Sequence, residues 1–115
     1  MAKLTELAYF VDDIPVITDF YRRLLGSEPV AQSENMAIFQ VGETRIFLHY
    51  KYQPSNDELP PENHIAISVS NLDETCNSLL GSGLELEILP ASYYWGRSAY
   101  LRDPEGRLIE LAESD

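Results

Sequence analysis

The strongest constraint on this chain is an internal repeat. A short, mostly apolar strand pattern that opens with a metal-competent side chain occurs twice, beginning at Glu6 and again at His64. The spacing to the first helical position agrees between the copies, since Glu6 to Ile14 and His64 to Leu72 both span 8 positions (14 − 6 = 72 − 64). Self-similarity of this kind determines a fold more strongly than local propensity does. The sequence therefore predicts two copies of one structural unit.

Each copy predicts a strand, a helix and then further strands. The Asp12-Asp13 pair offers a cap for the first helix, and Gly26 stands where a left-handed residue ends it. In the second copy, Asn71 and Glu74 have the spacing of a capping box. The predicted strands are 6–11, 37–41 and 45–50 in the first copy, and 64–69, 84–89, 98–102 and 107–112 in the second, where a turn is predicted at 103–106.

Length and composition fit one compact domain. The chain has 115 residues, of which 44% are hydrophobic, as expected of a single folded core. We expect one domain over 1–115, in which a polar, proline-punctuated linker at 53–62 joins module 1 (1–53) to module 2 (62–115). No window approaches the roughly 18 consecutive apolar residues of a membrane span, and the start lacks the apolar stretch of a secretory signal. A cytoplasmic location without a membrane partner is expected.

The charge of the chain argues against nucleic acid as a partner. The formal net charge is −11, from 19 acidic and 8 basic residues, and this excess repels phosphate backbones. A cation, whether a metal or a small organic ligand, suits such a chain better. The plainer explanation for most of the charge is that acidic side chains keep a small domain in solution.

Four side chains of metal-ligand type stand in apolar strands. Strand alternation gives Glu6, His64 and Glu110 mostly apolar or small neighbours on their own face, where an isolated charge is costly unless paired or bound to a metal. His49 shares a face with Phe47 at the end of the last strand of the first copy. Carboxylates and imidazoles without a thiolate suit Mn, Fe, Ni or Zn. The residues alone also allow the alternative of hydrogen-bonded strand histidines.

Three segments of the chain together resemble one family. They are Phe20-Tyr21 followed by Leu24-Leu25-Gly26, the strand His64-Ile65-Ala66-Ile67, and the run Arg102-Asp103-Pro104-Glu105-Gly106-Arg107-Leu108-Ile109-Glu110. Through them the chain is similar to the vicinal oxygen chelate superfamily, which includes glyoxalase I, extradiol dioxygenases, fosfomycin-resistance thiol transferases and bleomycin-resistance proteins. The resemblance implies an α+β, glyoxalase-like fold of two βαβββ modules, whose curled mixed sheets enclose a cleft with a divalent-metal site, commonly within a homodimer.

The resemblance also implies which side chains hold the metal. Family ligands come from the first and last strands of each module, so His64 and Glu110 match residue by residue, and Glu6 falls where histidine is usual. Aligning the hairpins puts Phe47 where glyoxalase I has glutamate, while His49 lies further along the same face. Either His49 replaces the missing carboxylate, or the site has three protein ligands.

The activity that the resemblance implies is metal-dependent chemistry on a small molecule with two neighbouring oxygens. The metal would stabilise developing negative charge in a lyase, isomerase, thiol-transferase or dioxygenase reaction. Glu6 or Glu110, released from the metal, would act as general base. Ser98 and Tyr100 match substrate-side positions of the fosfomycin enzymes, although strand alternation equally allows them to face outward. The expected substrate contacts are Tyr100, Trp95, Arg97, Tyr50 and Phe47.

Two other functions stay open at this level. A metal-free binding protein, resembling the bleomycin-resistance proteins, would stack aromatic side chains such as Trp95 and Tyr50 on a planar cationic ligand. Such a binder has no need for His64 and Glu110 in matching positions. A degenerate module that only dimerises or regulates would keep the fold without the chemistry.

Overall fold

The computed structural model describes residues 2–52 and 62–114, and over this part the chain has two βαβββ modules. The first module comprises β1 Lys3–Val11, α1 Ile14–Leu25, β2 Ala31–Gln32, β3 Met36–Val41 and β4 Thr44–Tyr50. The second comprises β5 His64–Val69, α2 Leu72–Gly81, β6 Ile88–Tyr93, β7 Gly96–Arg102 and β8 Leu108–Glu113. The predicted repeat and the α+β class are confirmed. The predicted linker, apart from its last residue, lies outside the described residues.

The chain divides into two compact units that follow this repeat closely. One unit is Glu6–Asn63, and the other joins Met1–Thr5 to His64–Asp115. The first residues of β1 thus belong with the second module, where the Thr5 hydroxyl donates to the carbonyl oxygen of Ala66 at 3.3 Å. Among the described residues, no helix is long and apolar enough to cross a membrane.

Both modules pair their strands in the same way. In the first, the order is β2-β3-β4-β1, with β4 antiparallel to β3 and parallel to β1. In the second, the order is β6-β7-β8-β5, with β8 antiparallel to β7 and parallel to β5. The opening strand of each module therefore lies beside its closing strand. This pairing brings side chains from opposite ends of a module next to each other.

Both helices begin at the caps that the sequence predicts. The Asp13 carboxylate accepts from the Val16 backbone N–H at 3.1 Å, and the Asn71 side-chain oxygen accepts from the Glu74 N–H at 3.0 Å. α1 ends at Gly26, whose φ of 66° lies in the left-handed region that favours glycine. The starts of both helices and the end of α1 are thus set by local sequence.

Two strands differ from the sequence prediction. The two-residue strand β2 was not predicted, because it has no apolar run and exists through pairing with β3. The predicted strand at 84–89 is wrong, since the strand forms at Ile88–Tyr93. Pairing with β7 fixes that position, and the ladder is irregular between Ile88 and Ala91. Tertiary pairing here overrides the alternating pattern of the preceding residues.

Each unit has its own apolar core between its helix and its sheet. The buried members are Ala37, Phe39 and Leu48 in the first unit, and Val69, Leu72, Cys76, Ala99, Leu101 and Leu111 in the second. Burial of a side chain such as Leu48 contributes about 1.5–3 kcal/mol. Burial also raises the pKa of the Cys76 thiol, so this residue serves the core as a small hydrophobe.

A tight turn connects β7 to β8 and sets the start of β8. One carboxylate oxygen of Asp103 accepts from the backbone N–H groups of Glu105 and Arg107, both at 2.9 Å. The hydrogen bond from Arg107 is the largest cause that holds the pKa of Asp103 below its usual range. Gly106, with φ of 86°, supplies the left-handed residue.

Candidate functional site

A histidine and a glutamate meet in the second unit on the neighbouring parallel strands β5 and β8. Glu110 on β8 pairs with Ala66 on β5. His64 lies two residues before Ala66 on the same face of β5, so its side chain neighbours that of Glu110. His64 Nε2 lies 3.3 Å from Glu110 Oε1, and the two side chains are only 12% and 9% exposed. The structure thus brings together two of the residues that the sequence predicts as metal ligands.

The second carboxylate oxygen of Glu110, Oε2, is held by a hydrogen bond from Ser98, which in turn accepts one from Trp95. The hydroxyl of Ser98, fully buried on β7, donates to Glu110 Oε2 at 2.7 Å. The indole N–H of Trp95 donates to the same hydroxyl at 3.2 Å. Glu110 is therefore hydrogen-bonded at both oxygens.

These contacts keep Glu110 ionised in spite of its burial. Desolvation by itself raises the pKa of this carboxyl, but hydrogen bonds from His64 and Ser98, with the charge of His64 and the Trp95 indole, outweigh it. The pKa of Glu110 consequently lies below its ordinary value. An ionised carboxylate beside an imidazole is a ligand pair for a divalent metal.

Aromatic rings line the pair on the β7 side. Tyr100 is buried, with its ring edge-on to His64 at 6.4 Å and to Tyr93 at 6.2 Å between ring centroids. Tyr93 in turn stacks on Trp95 with a centroid distance of 4.5 Å and an angle of 3° between the planes. Trp95 is 48% exposed and Tyr94, its neighbour in the turn, is 97% exposed. The predicted contact residues Trp95 and Tyr100 therefore belong to one aromatic cluster beside the pair.

In the first unit, Glu6 occupies the position on β1 that His64 occupies on β5. Its side chain is 17% exposed, and its Oε1 lies 3.4 Å from Arg45 Nε on β4. The carboxylate predicted as a ligand from the first copy is thus largely buried on the opening strand of its module.

The strand registers identify the counterpart of Glu110 in the first unit. Glu110 pairs with Ala66, the second residue after His64, and Phe47 pairs with Ala8, the second residue after Glu6. The register therefore equates Phe47 with Glu110. A carboxylate in the second module is matched by an aromatic ring in the first.

His49 lies two residues further along β4, among aromatic rings. Its ring centroid is 5.6 Å from those of Phe10 and Phe47 and 5.5 Å from that of Tyr52. Its Nδ1 lies 2.6 Å from the carbonyl oxygen of Tyr50. A fourth ligand at His49 stays a prediction, and the register favours the alternative of three protein ligands.

Two other predicted substrate contacts have structural surroundings of their own. The guanidinium of Arg97 donates two hydrogen bonds to Asp73, at 2.9 and 3.0 Å, and lies 3.5 Å from Glu113. Tyr50 is 48% exposed, and by strand alternation it faces away from Phe47. Contact of Arg97 or Tyr50 with a substrate stays a prediction.

Sequence reasoning missed the bond between Ser98 and Glu110. Ser98 was predicted either to lie on the substrate side or to face outward from its strand. The available signal was a small polar side chain on the same strand face as Tyr100, because a buried hydroxyl needs a hydrogen-bond partner. Its partner could be named only once the register placed Ser98 opposite Ala112, which lies two residues from Glu110 on the same face of β8.

Comparison with known proteins identifies the family of the chain. Residues 3–111 match the family model of the Glyoxalase/Bleomycin resistance protein/Dioxygenase superfamily. A metallothiol transferase FosB of Shouchella clausii is 29% identical, over 94% of this chain and 77% of that protein. A lactoylglutathione lyase of Escherichia coli O157:H7 is 32% identical, over 90% of this chain and 86% of that protein.

Solved structures share the fold at lower identity. A hypothetical protein from Bacillus halodurans C-125 has a TM-score of 0.79 at 23% identity, covering 99% of this chain and 95% of its own. A Streptomyces coelicolor methylmalonyl-CoA epimerase has a TM-score of 0.71 at 20% identity, covering 97% and 94%. The match of residues 3–111 to the family model shows that the chain belongs to the Glyoxalase/Bleomycin resistance protein/Dioxygenase superfamily.

Proposed function

We propose that this protein is a divalent-metal-dependent enzyme that acts on a small molecule with two neighbouring oxygens. The observation that carries the proposal is the buried, ionised Glu110 carboxylate beside the His64 imidazole. Two relatives, named as a metallothiol transferase and a lactoylglutathione lyase, support a reaction of transferase, lyase or isomerase type. A dioxygenase reaction is the remaining type that the family allows.

The chemistry of the donors in this site fits a divalent metal. Glu110 is a buried carboxylate that is hydrogen-bonded to His64 and to Ser98. A buried anion is costly without a compensating cation. Oxygen and nitrogen donors without a thiolate suit Mn, Fe, Ni or Zn, which are the candidate metals.

We assign Glu6 as the third ligand. Glu6, His64 and Glu110 each carry a group of metal-ligand type, a carboxylate or an imidazole. The assignment is supported by the matching positions of Glu6 and His64 on the opening strands, and by the burial of the Glu6 side chain. The preceding residue, Thr5, is hydrogen-bonded to Ala66 on β5, the strand that begins with His64. His49 is retained as a candidate fourth ligand only.

The chain's own residues would then divide the work of the reaction. A bound metal supplies Lewis acidity toward two neighbouring substrate oxygens. Glu110 is fixed by hydrogen bonds at both oxygens, which suits a residue that stays in place. Glu6 is accordingly our candidate for the general base, with Glu110 as the alternative. The exposed face of Trp95, with Tyr93 behind it, is the candidate contact for the rest of the substrate.

Turnover with defined metals tests this function. Chelator-treated protein, reloaded separately with Mn, Fe, Ni and Zn, is assayed with α-hydroxy acids, thiol adducts of α-oxoaldehydes, and catechols. We expect activity with at least one metal that is lost in His64→Ala and Glu110→Gln and retained in Glu105→Gln, an exposed acid in the β7–β8 turn. Activity that survives chelation, or that both site variants retain, would contradict the proposal.

A metal-free binding protein is the second candidate, favoured by the exposed aromatic rings. Tyr94 and Trp95 are 97% and 48% exposed in the turn between β6 and β7. Such rings stack on planar cations with about 0.5–2 kcal/mol of cation–π attraction. This function predicts that a planar cationic dye binds equally with and without chelator, and that Trp95→Ala weakens the binding. Binding that requires the metal would exclude it.

The assembly and location of the protein are also proposals. The family resemblance implies a homodimer, and we propose a cytoplasmic location. Light scattering coupled to size-exclusion chromatography tests the first expectation, with a molecular mass twice that of one chain as the predicted result. Fractionation of the native host tests the second.

A further inference from the structure

A chain of hydrogen bonds runs from the protein surface to the buried glutamate of the site. The indole N–H of Trp95 donates to Ser98 Oγ at 3.2 Å, and the Ser98 hydroxyl donates to Glu110 Oε2 at 2.7 Å. The direction of both bonds is fixed by chemistry, because an indole N–H only donates and an ionised carboxylate only accepts. The Ser98 hydroxyl must therefore accept a hydrogen bond from Trp95 and donate one to Glu110.

This fixed direction distinguishes the two oxygens of Glu110. Oε2 is held by the short, charge-assisted bond from Ser98, whereas Oε1 is the oxygen that faces His64 at 3.3 Å. Ser98 has no exposed surface, so water does not compete for its hydroxyl. The Glu110 carboxylate thus faces His64 through Oε1 alone.

The donor at the start of this chain is itself held in place. Trp95 stacks flat on Tyr93 at 4.5 Å, and Tyr93 meets Tyr100 edge-on at 6.2 Å. Tyr100 meets the His64 ring edge-on at 6.4 Å. Trp95 is therefore connected to Glu110 through hydrogen bonds and to His64 through aromatic contacts.

We propose that Ser98 and Trp95 are positioning residues that hold Glu110 so that only Oε1 serves as a ligand. The proposal rests on the proposed function, since it concerns a metal-binding Glu110. Neither residue touches the metal in this account, and both act through the carboxylate. Hydrogen-bond partners of ligating carboxylates typically change metal affinity about 10–100-fold when they are removed.

Three variants separate positioning from general damage to the fold. Ser98→Ala removes the donor to Oε2, whereas Ser98→Thr keeps a hydroxyl. Trp95→Phe keeps a ring that can stack on Tyr93 and removes the indole N–H. Ser92→Ala, at an exposed serine on the neighbouring strand β6, is the matched control. Thermal unfolding and circular dichroism establish which variants are folded.

The test is Zn²⁺ affinity by competition with a chromophoric chelator, combined with tryptophan emission. Trp95 is the only tryptophan of the chain, so its emission reports this hydrogen bond directly. We expect Ser98→Ala to weaken Zn²⁺ binding about 10–100-fold, Trp95→Phe to weaken it less, and Ser98→Thr and Ser92→Ala to stay within about 3-fold of wild type. Zn²⁺ should shift the wild-type emission, and Ser98→Ala should abolish this shift.

The possible failures are distinguishable. Wild-type affinity in Ser98→Ala and Trp95→Phe would overturn the positioning role while leaving the metal site intact. An equal loss of affinity in Ser98→Ala and Ser98→Thr would also overturn it, because the hydroxyl would then not matter. A wild-type protein that binds neither Zn²⁺ nor Mn²⁺, Ni²⁺ or Fe²⁺ would overturn the proposed function and this inference together. If Ser98→Ala does not fold, Trp95→Phe carries the test.

Discussion

His64 Nε2 and Glu110 Oε1 lie 3.3 Å apart, although 46 residues separate them along the chain. They meet because the opening and closing strands of the second module, β5 and β8, are parallel neighbours. The first module has the same strand pairing, but its corresponding positions hold Glu6 and Phe47. Its aromatic residue cannot replace the second carboxylate. The two modules therefore share a fold and differ in chemistry.

His49→Ala should leave metal binding within about twofold of wild type. The register equates Phe47 with Glu110, and His49 is engaged with the Tyr50 carbonyl and with aromatic rings. Loss of those ring contacts should cost about 0.5–1.5 kcal/mol each in the free energy of unfolding. Metal affinity and urea unfolding, measured on the same sample, separate the two effects. A large loss of metal would instead identify His49 as the fourth ligand.

Phe47→Glu should raise metal affinity, because it restores a carboxylate at the position equivalent to Glu110. We expect an increase in metal affinity of about tenfold, which corresponds to about 1.4 kcal/mol of binding free energy. The control is His49→Glu, which puts the same charge two residues along the same face and should not strengthen binding. Equal effects of both variants would show that charge, not register, determines the affinity.

Asn71→Ala should destabilise the protein by about 1 kcal/mol through loss of a helix cap. The Asn71 side-chain oxygen accepts from the Glu74 N–H at the start of α2. Asn71→Asp keeps an acceptor and should be close to wild type. Asn77→Ala, at an exposed position within α2, removes the same side chain without a cap and should be neutral or stabilising. Urea unfolding measures all three, and equal losses in Asn71→Ala and Asn77→Ala would refute the capping role.

Asp103→Asn should remove a pH-dependent part of the stability. The pKa of Asp103 is lower in the folded state than its unfolded value of about 3.9, chiefly because of the hydrogen bond from the Arg107 backbone. Its stabilisation is fully present above the unfolded pKa and is lost as the pH falls through the folded pKa. The difference in unfolding free energy between wild type and Asp103→Asn should therefore shrink below about pH 4. A difference that is constant with pH would contradict this account.

Local signals explain how much of the fold could be predicted from the sequence. The caps Asp13 and Asn71 and the stop at Gly26 act within a few residues, so they could be read directly. The strand β2 and the position of β6 depend on partners elsewhere in the sheet. The residues before Ile88 alternate between apolar and acidic side chains, as a strand would. Strand β6 nevertheless forms at Ile88–Tyr93, where β7 provides hydrogen-bond partners.

The candidate site shows the same limit. The sequence predicted His64 and Glu110 as site residues because each is a ligand-type residue in an apolar strand. The bonds from Ser98 to Glu110 and from Trp95 to Ser98 depend on register and rotamer, which no residue pattern states. The equivalence of Phe47 in the first module to Glu110 in the second could likewise be established only from the strand registers of both modules.

The most direct test of the central claim is the metal content of protein purified without chelator, measured by plasma mass spectrometry beside His64→Ala and Glu110→Gln. Wild type is expected to hold about one divalent metal per chain, and each variant to stay folded and lose the metal, with affinity reduced by more than about 100-fold. Wild-type protein without metal, even after incubation with Mn, Fe, Ni and Zn, would contradict a metal site at His64 and Glu110. Metal content equal to that of wild type in both variants would contradict it as well.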